Sequence, residues 1–275
     1  MTEKDLTIRY YRELAIPHLI RFPQRQSPRA TDPQPEGLDT WESGMPLYEI
    51  DWSESLVQSP QVIPGVTTVR RLMGETPGSS PKNLPLDLYI GIDCSGSMNN
   101  PAFSLSYPVL AATVITVSAL RTGARVMACL SGEPGSFTQT DGFLRNEKGI
   151  MSVLTDYLGT GYAFGIQRLK ETILDRPAPE RPTHLLVVSD SDIFYMLDEL
   201  KDGWQIAEQA AARAGGGASF VLELNRKERK AEIEKMQKIG WQVYTVTSQQ
   251  ELVDFAASFA KAKYGENRNR SMPGR

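Results

Sequence analysis

A chain of 275 residues has room for one large α/β domain with an appendage, or for two small domains. Its 40% hydrophobic and 23% charged residues are ordinary for a globular protein, and a formal net charge of −3 argues against a general affinity for nucleic acid or anionic membrane surfaces. No apolar run reaches the ~20 residues of a membrane helix. The polar start Met1-Thr2-Glu3-Lys4-Asp5 leads into no apolar segment of a secretory signal, so the expected location is the cytoplasm. The two cysteines, Cys94 and Cys129, each lie inside an apolar run and read as small buried hydrophobes, in keeping with a reducing compartment.

Residues 1–84 are rich in Pro, Gly and Ser and have little helical periodicity, which predicts an N-terminal extension and linker, partly irregular. Within it, residues 24–36 (QRQSPRATDPQPE) read as a mobile loop. Residues 5–20 and 47–63 are short segments able to pair or pack; the alternation of Tyr48, Ile50 and Trp52 predicts a strand buried on one side. Residues 73–85 (MGETPGSSPKNLP) carry turn chemistry throughout. No internal repeat is present.

From Leu86 the rhythm changes. Residues 86–92 (LDLYIGI) predict a buried strand, and Tyr107 to Arg121 an apolar helix closed by Gly123. Strands are expected at 125–130 and, through a Glu133-Pro134-Gly135 hairpin, at 136–140; a helix follows at about 164–174. Residues 184–189 (HLLVVS) form the most apolar strand, then a helix at 197–214 ends at Gly215-Gly216-Gly217. A strand at 219–224, a charged helix at 227–238 and a last strand at 242–246 complete the alternation. Ser248 would cap a final helix with Leu252, Phe255 and Phe259 on one face, and residues 265–275 read as a disordered tail. Such alternation implies a mostly parallel sheet covered on both faces: an open, doubly wound α/β domain over 85–264.

In these sheets ligands sit beyond the carboxyl ends of the strands, near the point where strand order reverses. The first strand ends in Asp93-Cys94-Ser95-Gly96-Ser97, and the strand from His184 ends in Ser189-Asp190-Ser191-Asp192; Gly159-Thr160-Gly161 lies between them in sequence. Two carboxylates and three hydroxyls form an oxygen-only set that suits a hard cation, Mg2+ before Ca2+. With no His beside them, and Cys94 reading as a buried hydrophobe, zinc is disfavoured. If Ser95, Ser97 and Thr160 bind directly while Asp93 and Asp190 act largely through water, little negative charge touches the ion. The ion then stays electrophilic and open to an external carboxylate.

Asp93-x-Ser95-x-Ser97, then Thr160, then Asp190 resembles the metal-ion-dependent adhesion site of von Willebrand factor A domains, over about residues 85–263. The resemblance implies a Rossmann-like, six-stranded sheet with one antiparallel edge strand. It also implies a magnesium site at the top of that sheet (Mn2+ or Ca2+ as alternatives), with binding of a partner's Glu or Asp and no catalysis. Where the family often has Thr-Asp-Gly, this chain has Ser189-Asp190-Ser191-Asp192, so Asp192 competes with Asp190 as the last ligand. Upstream, Trp41-Glu42-Ser43-Gly44, Ile50-Asp51-Trp52 and Thr67-Thr68 look like bacterial proteins that work beside MoxR-type AAA+ ATPases. That likeness implies an adaptor role. A metal-chelatase subunit is a further alternative within the family, although no acidic linker is visible.

Other features carry less. Gly159-x-Gly161-x-x-x-Gly165 has the wrong spacing for a dinucleotide fingerprint, and no Gly-x-x-x-x-Gly-Lys-Ser/Thr loop occurs. The enzymatic rival is a phosphatase with Asp190 as nucleophile and Asp192 as acid–base; it leaves Asp93, Ser95 and Ser97 without a role. Of the two histidines, His18 lies in the extension and His184 enters its strand at the end away from Asp190, which disfavours a Ser–His–Asp hydrolase. The mixed charges of 227–238 read as a solvated helix face, and Trp41, Trp52 and Trp204 as packing residues.

Overall fold

The computed structural model describes residues 2–20, 22, 24–26, 31–77, 83–132, 135–161, 164–223, 229–246, 251 and 254–255. The expected hairpin residues Glu133 and Pro134, the Ser248 cap with Leu252 and Phe259, and the 265–275 tail all lie outside them. The chain divides into two compact units, Arg25–Leu84 and a second made of Met1–Gln24 with the chain from Pro85 onward. The first residues therefore belong with the sheet and not with an extension spanning 1–84.

What begins the sheet unit is a helix, α1 (Glu3–Ala15). Thr2 and Asp5 cap it reciprocally: the Asp5 N–H donates to Thr2 Oγ1 at 3.2 Å, and the Thr2 N–H to Asp5 Oδ2 at 3.0 Å. The Thr2 backbone N–H, then Lys148, holds the Asp5 carboxyl well below the usual carboxylate range. Only Tyr11 and Ala15 of α1 are fully buried, so its sequence carries no broad apolar stripe and its helical period is muted.

In the 25–84 unit, two strands form an antiparallel ladder where a mobile loop and a linker were expected. A short strand, β1 (Gln24–Gln26), precedes β2 (Thr31–Thr40), and β2 pairs with β3 (Val69–Pro77). Pro33 and Pro35 stand two residues apart in β2, and in an edge strand alternate N–H groups are not needed by the ladder. A bulge between Pro35 and Gly37 resets the register. The strand expected around Ile50 is instead a 3-10 turn at Leu47–Glu49 and a helix, α2 (Trp52–Gln58). Asp51 decides this by capping α2, its Oδ1 accepting the Glu54 N–H at 3.1 Å. Tyr48 and Trp52 are exposed, so the alternation does not mark one buried face. Residues 83–85 form a short strand, β4 (Asn83–Pro85), paired with β1.

The remaining chain builds the sheet. In order it runs β5 (Asp87–Asp93), α3 (Tyr107–Arg121), β6 (Val126–Ser131), β7 (Phe137–Gln139), α4 (Glu147–Leu154), α5 (Gln167–Leu169) passing into a π-helical turn at Lys170–Leu174, and β8 (Thr183–Asp190). Then follow α6 (Ile193–Glu199), α7 (Gly203–Ala214), β9 (Gly215–Glu223), α8 (Lys230–Lys238) and β10 (Trp241–Val246). The strand order is β10-β9-β8-β5-β6-β7, parallel throughout except for β7, which pairs antiparallel with β6. This is the doubly wound, six-stranded sheet with one antiparallel edge strand.

Alternate strand residues feed two cores. Leu88, Ile90 and Ile92 of β5 meet Val109, Ala112 and Ile115 of α3 with Tyr11 of α1, while Tyr89 faces Leu169, Leu185 and Phe220 on the other side. The helix expected over 197–214 is broken into α6 and α7, and Gly203 permits their close junction: a Cβ there would come within 2.4 Å of the Leu197 carbonyl oxygen. Helix α4, which the periodicity did not disclose, is capped by Asn146, whose Oδ1 accepts the Gly149 N–H at 3.3 Å.

Candidate metal centre

From β5 the chain moves through α3 to β6 on one side and later returns through α5 to β8 on the other. The order of the sheet reverses between β5 and β8, which makes their carboxyl ends the switch point. Asp93 is the last residue of β5 and Asp190 the last of β8.

Asp93 is 2% exposed. Its Oδ1 accepts the Ser95 N–H at 2.8 Å, and its Oδ2 accepts the Ser189 hydroxyl at 2.8 Å. These bonds favour the ionised form, yet burial and the nearby Asp190 charge outweigh them and push the Asp93 carboxyl up to about 6. From Ser95 a line of oxygens runs outward. Ser95 Oγ lies 2.9 Å from Ser97 Oγ, and the Ser97 hydroxyl donates to Asp190 Oδ2 at 3.0 Å. The other Asp190 oxygen accepts the Asp192 N–H at 2.9 Å. It is therefore the carboxylate of Asp190 that reaches Ser97, and Asp192 takes part through its backbone, at the start of α6.

Thr160 joins from a separate loop. It forms an isolated parallel bridge with Ser95, its carbonyl accepting the Gly96 N–H at 2.7 Å. Cys94 secures the same loop: its carbonyl accepts the Gly159 N–H at 3.0 Å and its Sγ the Leu158 N–H at 3.0 Å. Burial pushes that thiol up, which suits a packing role and not a nucleophile. The Thr160 side chain lies over Gly132, just beyond β6; a Cβ on Gly132 would come within 1.7 Å of Thr160 Oγ1.

The five residues read from the sequence thus stand at one edge: Asp93, Ser95, Ser97 and Asp190 in one hydrogen-bonded run, and Thr160 beside Ser95. Sequence reasoning gave no role to Ser189 or Gly132. Ser189 had no signal in the sequence, since it meets Asp93 only once β5 and β8 lie side by side. Gly132 had none, because its meaning lies in a contact with a distant loop. His184 stands at the opposite end of β8, its ring nitrogens 3.1 Å from the Gly216 carbonyl and 3.1 Å from Ser219 Oγ.

The donor chemistry fits a divalent cation. Among the described residues no three His, Cys, Asp or Glu side chains gather to hold a metal. The edge instead offers two carboxylates with serine hydroxyls between them, an oxygen set for a hard ion. Burial grades outward, with Asp93 and Ser95 buried and Ser97 exposed, so the run opens to solvent at its outer end.

The fold and this edge define a doubly wound α/β domain with an oxygen-lined site at its switch point. No protein-family model matches the chain, and no curated protein matches its sequence. Solved structures align with part of it. A von Willebrand factor type A protein from Catenulispora acidiphila aligns with 66% of this chain, at 14% identity and a TM-score of 0.42; the chain spans 44% of that structure's length. A mutant of the PilB minor pilin from Streptococcus sanguinis aligns over 76% of this chain and 73% of its own, at 13% identity and a TM-score of 0.41. An aerotolerance-related membrane protein from Bacteroides fragilis, carrying multiple mutations to serines, aligns over 66% and 97%, at 12% identity and a TM-score of 0.39. Among the described residues no helix is long and apolar enough to cross a membrane.

Proposed function

We propose that the chain is a von Willebrand factor A-type interaction module that binds an acidic residue of a protein partner through a divalent metal, Mg2+ in the first instance. The observation that carries this is the continuous run Ser189–Asp93–Ser95–Ser97–Asp190 across the ends of β5 and β8. Ser95, Ser97 and Thr160 would supply hydroxyl oxygens, and Asp93 and Asp190 would orient them and hold water. When bound, the ion supplies a Lewis-acidic position that a partner carboxylate completes. The chain's own part is to keep that position short of negative charge. No bond is made or broken, so the module is not an enzyme.

The partner side of this reading is supported by the Arg25–Leu84 unit. Among the described residues, ten of the sixteen exposed large apolar side chains belong to it, including Leu47, Tyr48, Trp52 and Val57. Apolar exposure of this density marks protein-binding surfaces. Together with the Trp41–Gly44 and Ile50–Trp52 segments it favours a cytoplasmic adaptor for a MoxR-type AAA+ ATPase over a metal-chelatase subunit. The phosphatase reading fits less well: Asp192 approaches Asp190 with its N–H and not its carboxylate, and Ser95 and Ser97 would have no task.

Affinity capture from lysate with and without Mg2+ tests the reading. Capture of an AAA+ ATPase or its client should be lost in EDTA and in Asp93→Ala or Ser97→Ala proteins that remain folded. Unchanged capture under all three conditions would sink the metal bridge. Phosphatase activity abolished by Asp190→Asn would replace it with the enzymatic reading.

A further inference from the structure

Helix α1 touches both loops that carry the candidate ligands. Tyr11 is fully buried, and its hydroxyl accepts the Ser106 N–H at 2.7 Å and donates to the Ser104 carbonyl at 3.2 Å. Ser106 is the N-cap residue of α3 but makes no side-chain cap there, so Tyr11 satisfies the group at which the loop enters the helix. That loop begins at Ser97. It is braced along its length by Met98 N–H to the Ser95 carbonyl at 3.0 Å, Ala102 N–H to Asn100 Oδ1 at 3.0 Å, and Asn99 Nδ2 to the Leu105 carbonyl at 3.2 Å. These bonds tie the loop to itself, and Tyr11 holds its far end.

At the other loop, Lys4 Nζ lies 3.2 Å from Asp156, two residues before the Leu158 N–H that meets Cys94 and four before Thr160. Arg12 to Glu147 at 2.6 Å and Lys148 to Asp5 at 2.9 Å anchor α1 on α4. The helix is thus seated on the core and on both loops at once.

We infer that Tyr11 is a positioning residue for the metal centre: through its two hydrogen bonds α1 fixes the 98–106 loop and, with it, the Ser97 hydroxyl. The inference rests on the metal-site reading but names a residue that lies outside it. A purely structural tyrosine would affect stability and leave metal affinity alone. A positioning tyrosine affects affinity beyond any loss of stability, as partners that orient ligands commonly do by 10–100-fold.

The test is Tyr11→Phe in the full chain, with Arg12→Ala as a control that weakens the seating of α1 without touching the loop. Two quantities are read: Mg2+ affinity by calorimetry, and amide hydrogen exchange of residues 98–106 in metal-free protein. The expected result is affinity about tenfold weaker in Tyr11→Phe, unchanged in Arg12→Ala, with faster exchange at 98–106 in the phenylalanine protein only. Unchanged affinity in Tyr11→Phe overturns the inference. If the parent protein binds no Mg2+, the metal reading fails, and exchange alone decides the clamp. Acceleration confined to 98–106 then upholds Tyr11 as the fastener of that loop, and unchanged exchange removes it.

Discussion

The Ser97 hydroxyl donates to Asp190 Oδ2 at 3.0 Å across 93 positions of sequence, and this bond joins the loop after β5 to the end of β8. It involves the carboxylate of Asp190, the ligand preferred because it immediately follows its apolar run, whereas Asp192 meets Asp190 through its N–H. Asp190→Ala is expected to abolish Mg2+ binding, because it removes the acceptor that orients Ser97. Asp192→Ala keeps the backbone N–H that bonds Asp190 and is expected to change affinity less than threefold, a difference of under about 0.7 kcal/mol. Calorimetric titration of the two variants decides; equal losses would mean that Asp192 shares the ion.

Metal should also stabilise the fold. A ligand that binds only the native state adds about 2.7 kcal/mol at a hundredfold excess over its dissociation constant. For a domain of this size that is a rise in melting temperature of about 5–10 °C. Thermal unfolding with Mg2+ and with EDTA should show this rise in the parent protein and not in Ser97→Ala. No rise in the parent protein would count against a site of useful affinity.

The parts of the site legible in sequence were those where burial leaves a continuous apolar run. β5 and β8 are covered on both faces, so their ends, and hence Asp93 and Asp190, could be located to within a residue. Elements buried by few residues were hidden. α1 buries only Tyr11 and Ala15, and β2 is written in prolines that only an edge strand tolerates. Gly203 looked like the interior of one helix because the carbonyl that crowds it, that of Leu197, belongs to the preceding helix α6. Ser189 and Gly132 were silent for another reason: each acts on a residue far away in sequence, and a single chain read along its length does not reveal such pairs.

Gly132→Ala tests the second of these. A Cβ there would overlap Thr160 Oγ1, and the loop would have to shift to admit it. Overpacking of this kind costs about 1–3 kcal/mol. Because the same loop pairs with Ser95, Mg2+ affinity should fall together with stability. Thr160→Ala combined with Gly132→Ala relieves the closest overlap but leaves the Cβ of residue 160 at 2.7 Å, so it should recover part of the stability and none of the affinity. If both return, Thr160 is packing alone.

Arg125→Ala probes the opposite end of β5. Asp87 is buried and accepts from the Arg125 N–H and Nε, both at 2.9 Å. Removing the guanidinium leaves a buried carboxylate with fewer partners, although the side chain of Arg125 is 30% exposed and solvent softens the loss. Urea unfolding should register a loss of about 1–3 kcal/mol, while Mg2+ affinity stays as in the parent protein. A parallel loss of affinity would show that the two ends of the strand are coupled.

The raised carboxyl of Asp93 gives the site a pH signature. In the metal-free fold this group titrates near 6 in place of its ordinary 3.8. Between these values the unfolded chain has already released its proton while the fold retains it. The contribution to stability is therefore full below about pH 4 and is lost as pH rises to about 6, a total of about 2–3 kcal/mol. Asp93→Asn should remove that slope. Metal reverses the preference, since the ion competes with the proton for the ionised carboxylate. Mg2+ affinity should rise up to about tenfold per unit as pH increases toward 6 and then level off, and saturating Mg2+ should draw the Asp93 titration downward. Calorimetry at pH 5, 6, 7 and 8, with NMR titration of the Asp93 carboxyl, reads both effects. An affinity that is flat from pH 5 to 8 would mean that the ion, if bound, does not sense Asp93, and would move the centre outward to Ser97 and Asp190.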